Sequence, residues 1–143
     1  MLAELAPENL ENLVTGLLDA WNTHDVERVV RYHSPDFQGT DVAEVGPAGI
    51  RQTFVRYFGA FPDLRFTRGE TIIQGSRIAL AWTARGTHLG AILNIPPTRR
   101  SVEIRGVSLL VVELTPSRLQ ATRASYLWDL AGLLRELGLL PDL

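Results

Sequence analysis

The chain of 143 residues has no cysteine. Disulfide frameworks, thiolate metal sites, iron–sulfur clusters and cysteine nucleophiles are therefore excluded. It has no lysine either, since all 14 basic residues are arginine. A Schiff base or a lysine general base is thus impossible. Charge of one sign is also lacking: the net charge is −2, and no basic block stands out. Sequence-independent binding of nucleic acid needs a basic face, so a nucleic-acid partner is not expected. Long apolar runs are absent; the run Leu109 to Val112, for one, stops at Glu113. A membrane helix needs about 20 apolar residues. The N-terminus, Met1-Leu2-Ala3-Glu4-Leu5-Ala6-Pro7-Glu8, has neither the basic nor the apolar stretch of a secretory signal. The expectation is a cytoplasmic protein with no membrane partner.

The length suits one domain spanning residues 1–143. An apolar fraction of 45% and a charged fraction of 21% suit a packed core and argue against disorder. Leu10, Leu13, Val14, Leu17, Leu18 and Trp21 follow the spacing of one helical face. They predict a helix from Glu8 to about Asn22. After the break at Asn22-Thr23-His24-Asp25, Asp25 is the expected N-cap of a short helix over Val26 to Tyr32. Ser34-Pro35-Asp36 should end that helix, and Phe37 to Val42 reads as a short strand. Gly46-Pro47 opens a third helix, which carries Ile50, Phe54, Tyr57, Phe58 and Phe61 on one side and ends near Pro62. From Leu64 the period becomes extended. Four strands are predicted over Leu64–Gln74, Arg77–His88, Val102–Leu114 and Arg118–Leu127, with a longer loop over Leu89–Arg100. A closing helix over Asp129–Gly138 follows, with Gly138 as its C′ residue. Helices, then antiparallel strands, then a helix mean an α+β fold.

From Val107 onward the strand Val102–Leu114 is apolar on both faces, whereas a half-solvated antiparallel strand should alternate. Helices can cover only one face of a single sheet, so the expectation is a homodimer through the other. Metal binding is not expected: His24, His33 and His88 are scattered, with no HxH or HExxH spacing. No glycine-rich phosphate loop is present, so no nucleotide cofactor is indicated. Ser34 and Ser108 have no histidine at a recognisable spacing, so a hydrolase triad is not supported.

Four segments in order carry a resemblance. They are Trp21-Asn22-Thr23-His24-Asp25 with Ser34-Pro35-Asp36-Phe37; Gly46-Pro47-Ala48-Gly49-Ile50-Arg51 leading to Phe61-Pro62-Asp63-Leu64; Trp82 to Gly90 with Ile95-Pro96-Pro97-Thr98; and Asp129 to Gly138. Together the chain resembles, along nearly its whole length, the SnoaL-like polyketide cyclases of the nuclear-transport-factor-two-like superfamily. The resemblance implies a cone: a curved antiparallel sheet wrapped around the N-terminal helices, with an internal apolar pocket. It implies a small aromatic or polycyclic substrate, aldol-type cyclisation without a cofactor, and a dimer. Asp129 stands where the family's aspartate acts as acid/base. In an apolar pocket its pKa should rise toward working pH, and equally it suits the N-cap of the closing helix.

His88 shares parity with Trp82 and is expected at the rim of the cavity, as proton shuttle, hydrogen-bond donor or polar loop residue. Trp82 is either an indole wall for a flat substrate or core packing. Asn22 is a candidate for binding a substrate carbonyl, or a turn residue. Tyr126 and Arg123 are further substrate-binding candidates on the last strand, where Leu119, Ala121, Ser125 and Leu127 compete with Ala124, Tyr126 and Trp128 for the inward face. Ser125 stands where many such cyclases carry a tryptophan. Two other readings are therefore open: a cofactor-independent hydroxylase of the same pathway type, and a small-molecule binding module without chemistry.

Overall fold

The structure, a computed structural model, describes residues 4–40, 42 and 44–141. Helix α1 spans Pro7–Thr23 and buries Leu10, Leu13, Val14, Leu17, Leu18 and Trp21, as its spacing predicts. Pro7 occupies its first turn, where a missing N–H costs nothing. His24 ends it in the left-handed region, with its N–H on the Trp21 carbonyl. Asp25 then caps α2 (Val26–Val30), its carboxylate accepting from the N–H groups of Glu27 and Arg28. Such a cap stabilises a helix by about 1 kcal/mol.

Strand β1 (His33–Gly39) begins four residues before the predicted strand and contains Ser34-Pro35-Asp36. Of the predicted span, Asp41 lies outside the described residues, and Val42 belongs to no element. Proline is tolerated here because β1 is an edge strand. Helix α3 (Pro47–Ala60) and strands β2 (Arg65–Gln74), β3 (Arg77–Thr87), β4 (Ser101–Leu114) and β5 (Leu119–Trp128) lie within a residue or so of their predicted bounds. Helix α4 (Leu130–Glu136) is shorter than predicted, and Gly138 follows it at φ 78°.

The five strands form one curved sheet in the order β1-β5-β4-β3-β2. Strands β2 to β5 pair antiparallel with their neighbours. Strand β1 departs from the expected antiparallel sheet and pairs parallel with β5. The helices lie against one face, and the core between them and the sheet includes Leu10, Leu17, Phe37, Phe61, Leu80 and Leu110, all at most 1% exposed.

A bulge resolves the ambiguous alternation of β5. Val111 pairs with Arg123, but Val112 pairs with Ala121, which leaves Thr122 as an extra residue. Ala121 before the bulge and Ala124 after it are both buried. Tyr126 and Trp128 continue the inward set after Ala124.

Candidate functional site

Inside the cone, the inward side chains of β2 to β5 and the apolar faces of α1 and α3 leave a cavity. Its free space is about 650 Å³ including its open mouth, of which only about 60 Å³ is wide enough for the centre of a water molecule. It is a narrow slot. Trp21, Trp82 and Trp128, all three tryptophans of the chain, line it together with Phe54, Tyr57 and Tyr126.

The indole wall follows from strand register. Trp82 of β3 pairs with Gly106 of β4, which pairs with Trp128 of β5. A Cβ at residue 106 would stand 2.3 Å from the Trp82 ring and 2.8 Å from the Leu127 carbonyl oxygen. Only glycine lets the Trp82 indole lie across the middle strand. The Trp82 Nε1–H donates to Ser108 Oγ at 3.0 Å, which fixes the ring. Phe66 meets Trp82 edge-on at 5.4 Å and Trp21 at 4.9 Å, so the rings form a continuous surface.

Polar groups on this wall are few. Thr53 donates its hydroxyl to the Gly49 carbonyl and is thereby occupied. Ser108 accepts from Trp82. Burial pushes the Tyr126 phenol well above its ordinary pKa, and the nearby Tyr57 phenol acts in the same direction. Tyr126 therefore remains a protonated donor at working pH. Among the described residues, no carboxylate and no imidazole lines the slot.

The sequence candidates divide. Trp82 and Tyr126 lie on the wall; the other four do not. Asp129 is exposed and N-caps α4, its Oδ1 accepting from Gly132 N–H at 2.8 Å. It stands between Trp128 and Leu133, which both line the slot, but its carboxylate lies in the exposed turn between β5 and α4, bonded to the start of α4, and lacks the expected apolar surroundings.

His88 is 0% exposed and not at the rim. Its Nδ1 accepts from Thr98 N–H at 3.2 Å and lies 3.0 Å from the Thr98 hydroxyl. Its ring packs behind Phe61, centroids 5.6 Å apart. Strand β3 ends at Thr87, but the backbone pairing runs on through His88, whose N–H donates to the Arg100 carbonyl and whose carbonyl accepts from Arg99 N–H; the ring points inward as parity predicts and is covered instead of lining the slot.

Asn22 spans to the edge strand instead of the slot. Its Nδ2 donates to the Phe66 carbonyl at 3.0 Å, and its Oδ1 accepts from Phe66 N–H at 2.7 Å. It thus satisfies two backbone groups that the edge of β2 leaves open. Arg123 is exposed on the outer face, because the bulge turns it away from the cavity.

Trp21, Trp128, Tyr57 and Ser108 are wall residues that sequence reasoning did not assign to the site. One available signal was the scarcity of tryptophan, a residue whose large flat surface suits a ligand wall. Among the described residues no cluster of His, Asp and Glu is placed to hold a metal ion, and no helix is long and apolar enough to cross a membrane.

No protein of curated function matches the sequence. Solved structures do. AclR from Streptomyces galilaeus, provisionally assigned as a hydroxylase, superposes with a TM-score of 0.82 at 26% identity, over 96% of this chain and 90% of that one. TsrD from Streptomyces laurentii superposes with a TM-score of 0.85 at 25% identity, over 96% of this chain and 100% of that one. A provisionally assigned SnoaL-like polyketide cyclase from Jannaschia sp. CCS1 reaches 0.79 at 19% identity, over 97% of each chain, a likeness of fold. The family description matches residues 11–137, and with the fold it shows that the chain belongs to the SnoaL-like polyketide cyclase family.

Proposed function

We propose that the protein is a small enzyme of aromatic polyketide biosynthesis that holds a flat ring ketone in the indole slot and promotes reaction through its enolate. The observation that carries this reading is the wall itself: three indoles and a buried phenol donor, with no charged side chain, in a narrow apolar space. A ketone oxygen that accepts from Tyr126 O–H gains most as negative charge develops on it. An extended aromatic system shares that charge, so the protein supplies position and one donor.

Two outcomes are open to such an enolate. In aldol closure, Asp129 removes the proton beside the carbonyl from its place at the rim, and must then give up its bond to Gly132. In oxygenation, solvent takes the proton beside the carbonyl, dioxygen adds to the enolate carbon, and the peroxide anion takes a proton from solvent; the hydroperoxide then loses water, with the second hydrogen of that carbon, as the O–O bond breaks and leaves a ketone without an external reductant. The exposed, helix-capping position of Asp129 and the lack of a carboxylate on the wall favour oxygenation. The similarity to AclR points the same way. The third reading, binding without chemistry, is the outcome if no turnover is found.

The test uses 1,8-dihydroxyanthrone as a tricyclic ketone, with and without oxygen, for the wild type and Asp129→Asn. The expected result is oxygen-dependent turnover that the substitution lowers by less than about tenfold. A loss of about 10²–10⁴-fold, typical of a missing general base, together with turnover of a cyclisable analogue under nitrogen, establishes the aldol reading instead.

The protein is further proposed to act as a homodimer through the outer face of the sheet. Ile72, Ala79, Leu109 and Ser125 form one row across four strands there, and Ala81, Val107 and Leu127 form the next. Ile72 and Leu127 are each 58% exposed and Leu109 42%. A contiguous apolar patch of this kind marks an association surface.

A further inference from the structure

We infer that Trp21 anchors the ligand, its indole N–H donating to an acceptor oxygen such as a ring carbonyl. The inference rests on the slot being the ligand site and names the group that orients what enters it. Two buried side-chain atoms have no hydrogen-bond partner among the described residues: Trp21 Nε1 and His88 Nε2. Native proteins rarely leave such groups unmet.

The two differ in what they can reach. His88 sits behind Phe61 and is not part of the wall. Trp21 is part of the wall and only 3% exposed. Its neighbours are Phe54, stacked at 6.2 Å, and Phe66 at 4.9 Å, rings with no oxygen to offer. Trp82, on the same wall, has its N–H satisfied by Ser108. Of these two indole donors, that of Trp21 is therefore the one left for a guest, beside the Tyr126 phenol. A guest oxygen that only accepts suits it, and a phenol-free quinone or ketone is the simplest such group.

The probes are 1,4-naphthoquinone and naphthalene, flat bicycles of similar size with and without acceptor oxygens. With three tryptophans, nitrogen-15 spectra show three indole N–H peaks, and Trp21→Phe assigns one of them. Naphthoquinone is expected to move the Trp21 peak downfield, and naphthalene to leave it near its free position. By calorimetry, Trp21→Phe should weaken naphthoquinone about tenfold and naphthalene less than about twofold, the difference of one neutral hydrogen bond. If both probes shift wall indoles but Trp21 responds to them alike, the anchoring role is wrong and the slot remains the site. If neither probe shifts any indole, the slot reading falls and the inference with it. Should Trp21→Phe fail to fold, Trp82→Phe and Trp128→Phe assign the other two peaks, the third is Trp21 by elimination, and the wild-type spectra decide.

Discussion

From Val107 onward, strand β4 carries apolar side chains on both faces, yet the faces have opposite fates. Inward, Ser108, Leu110 and Val112 are at most 1% exposed and meet the helices, the other strands' aromatic rings, or both. Outward, Leu109 is 42% exposed, and Arg77 and Arg123 flank it across the sheet at Val111. The inner face packs around the slot, and its Ser108 hydroxyl is taken by the Trp82 indole. The outer face is apolar without cover. Hydrophobic pattern alone therefore does not tell the two faces apart, and the difference in burial does: the inner one encloses the slot and the outer one lies open.

The comparison breaks most sharply at Gly106. Replacing it with alanine drives a methyl group into the Trp82 ring and the Leu127 carbonyl. Gly106→Ala should destabilise by about 2–3 kcal/mol, as overpacking does. It should also change tryptophan emission, because the indole has to tilt. A urea midpoint and slope unchanged from wild type would show that the wall is loose.

The next effect comes from acid, and again only the buried side is sensitive. His33 is 3% exposed, with Nδ1 on the Val29 carbonyl at 2.8 Å. Desolvation lowers its pKa from 6.5 to about 4, against a smaller opposing effect of that hydrogen bond. Between those values the unfolded chain binds a proton that the folded chain refuses, so stability falls as pH drops. The loss between pH 7 and pH 5 should be about 2 kcal/mol, because each pH step of one within that window costs about 1.4 kcal/mol. Urea titrations at the two pH values measure it. A flat profile, or the same slope in His33→Gln, would assign the effect elsewhere.

The smallest effect on the protomer should come from the outer face. Leu109→Asp changes an exposed side chain and should alter the stability measured in urea by no more than about 1 kcal/mol. Light scattering should nonetheless fall from about twice 15.9 kDa to a single chain. A wild-type mass of one chain at micromolar concentration would remove the dimer.

Much of the architecture was legible from local chemistry. The spacing of Leu10 to Trp21 gives α1 its buried face, Asp25 does cap α2, and Gly138 does take a positive φ after α4. The shift of β1 was less legible, because Pro35 forbids a central strand but not an edge strand, and edge status is a property of the assembled sheet. The site was legible in part. Parity put Trp82 and His88 inward, and both do point inward, but parity does not say that the segment around Thr98 and the Phe61 ring cover His88 and keep it out of the slot. Asn22 looked like a turn residue or a ligand for substrate, and its amide closes the open edge of β2 instead.

Residue types and their spacing alone establish which elements form, the α+β order, and the exclusion of thiol and lysine chemistry. These depend on near neighbours in the chain and on composition. Tertiary structure alone brings Trp21, Trp82 and Trp128 together from α1, β3 and β5, inserts the bulge at Thr122 that turns Tyr126 inward and Arg123 outward, and leaves Asp129 on the surface as a cap. Strand register and the position of a bulge depend on pairing between residues far apart in the chain, and hydrophobic alternation on a strand apolar on both faces cannot choose between them.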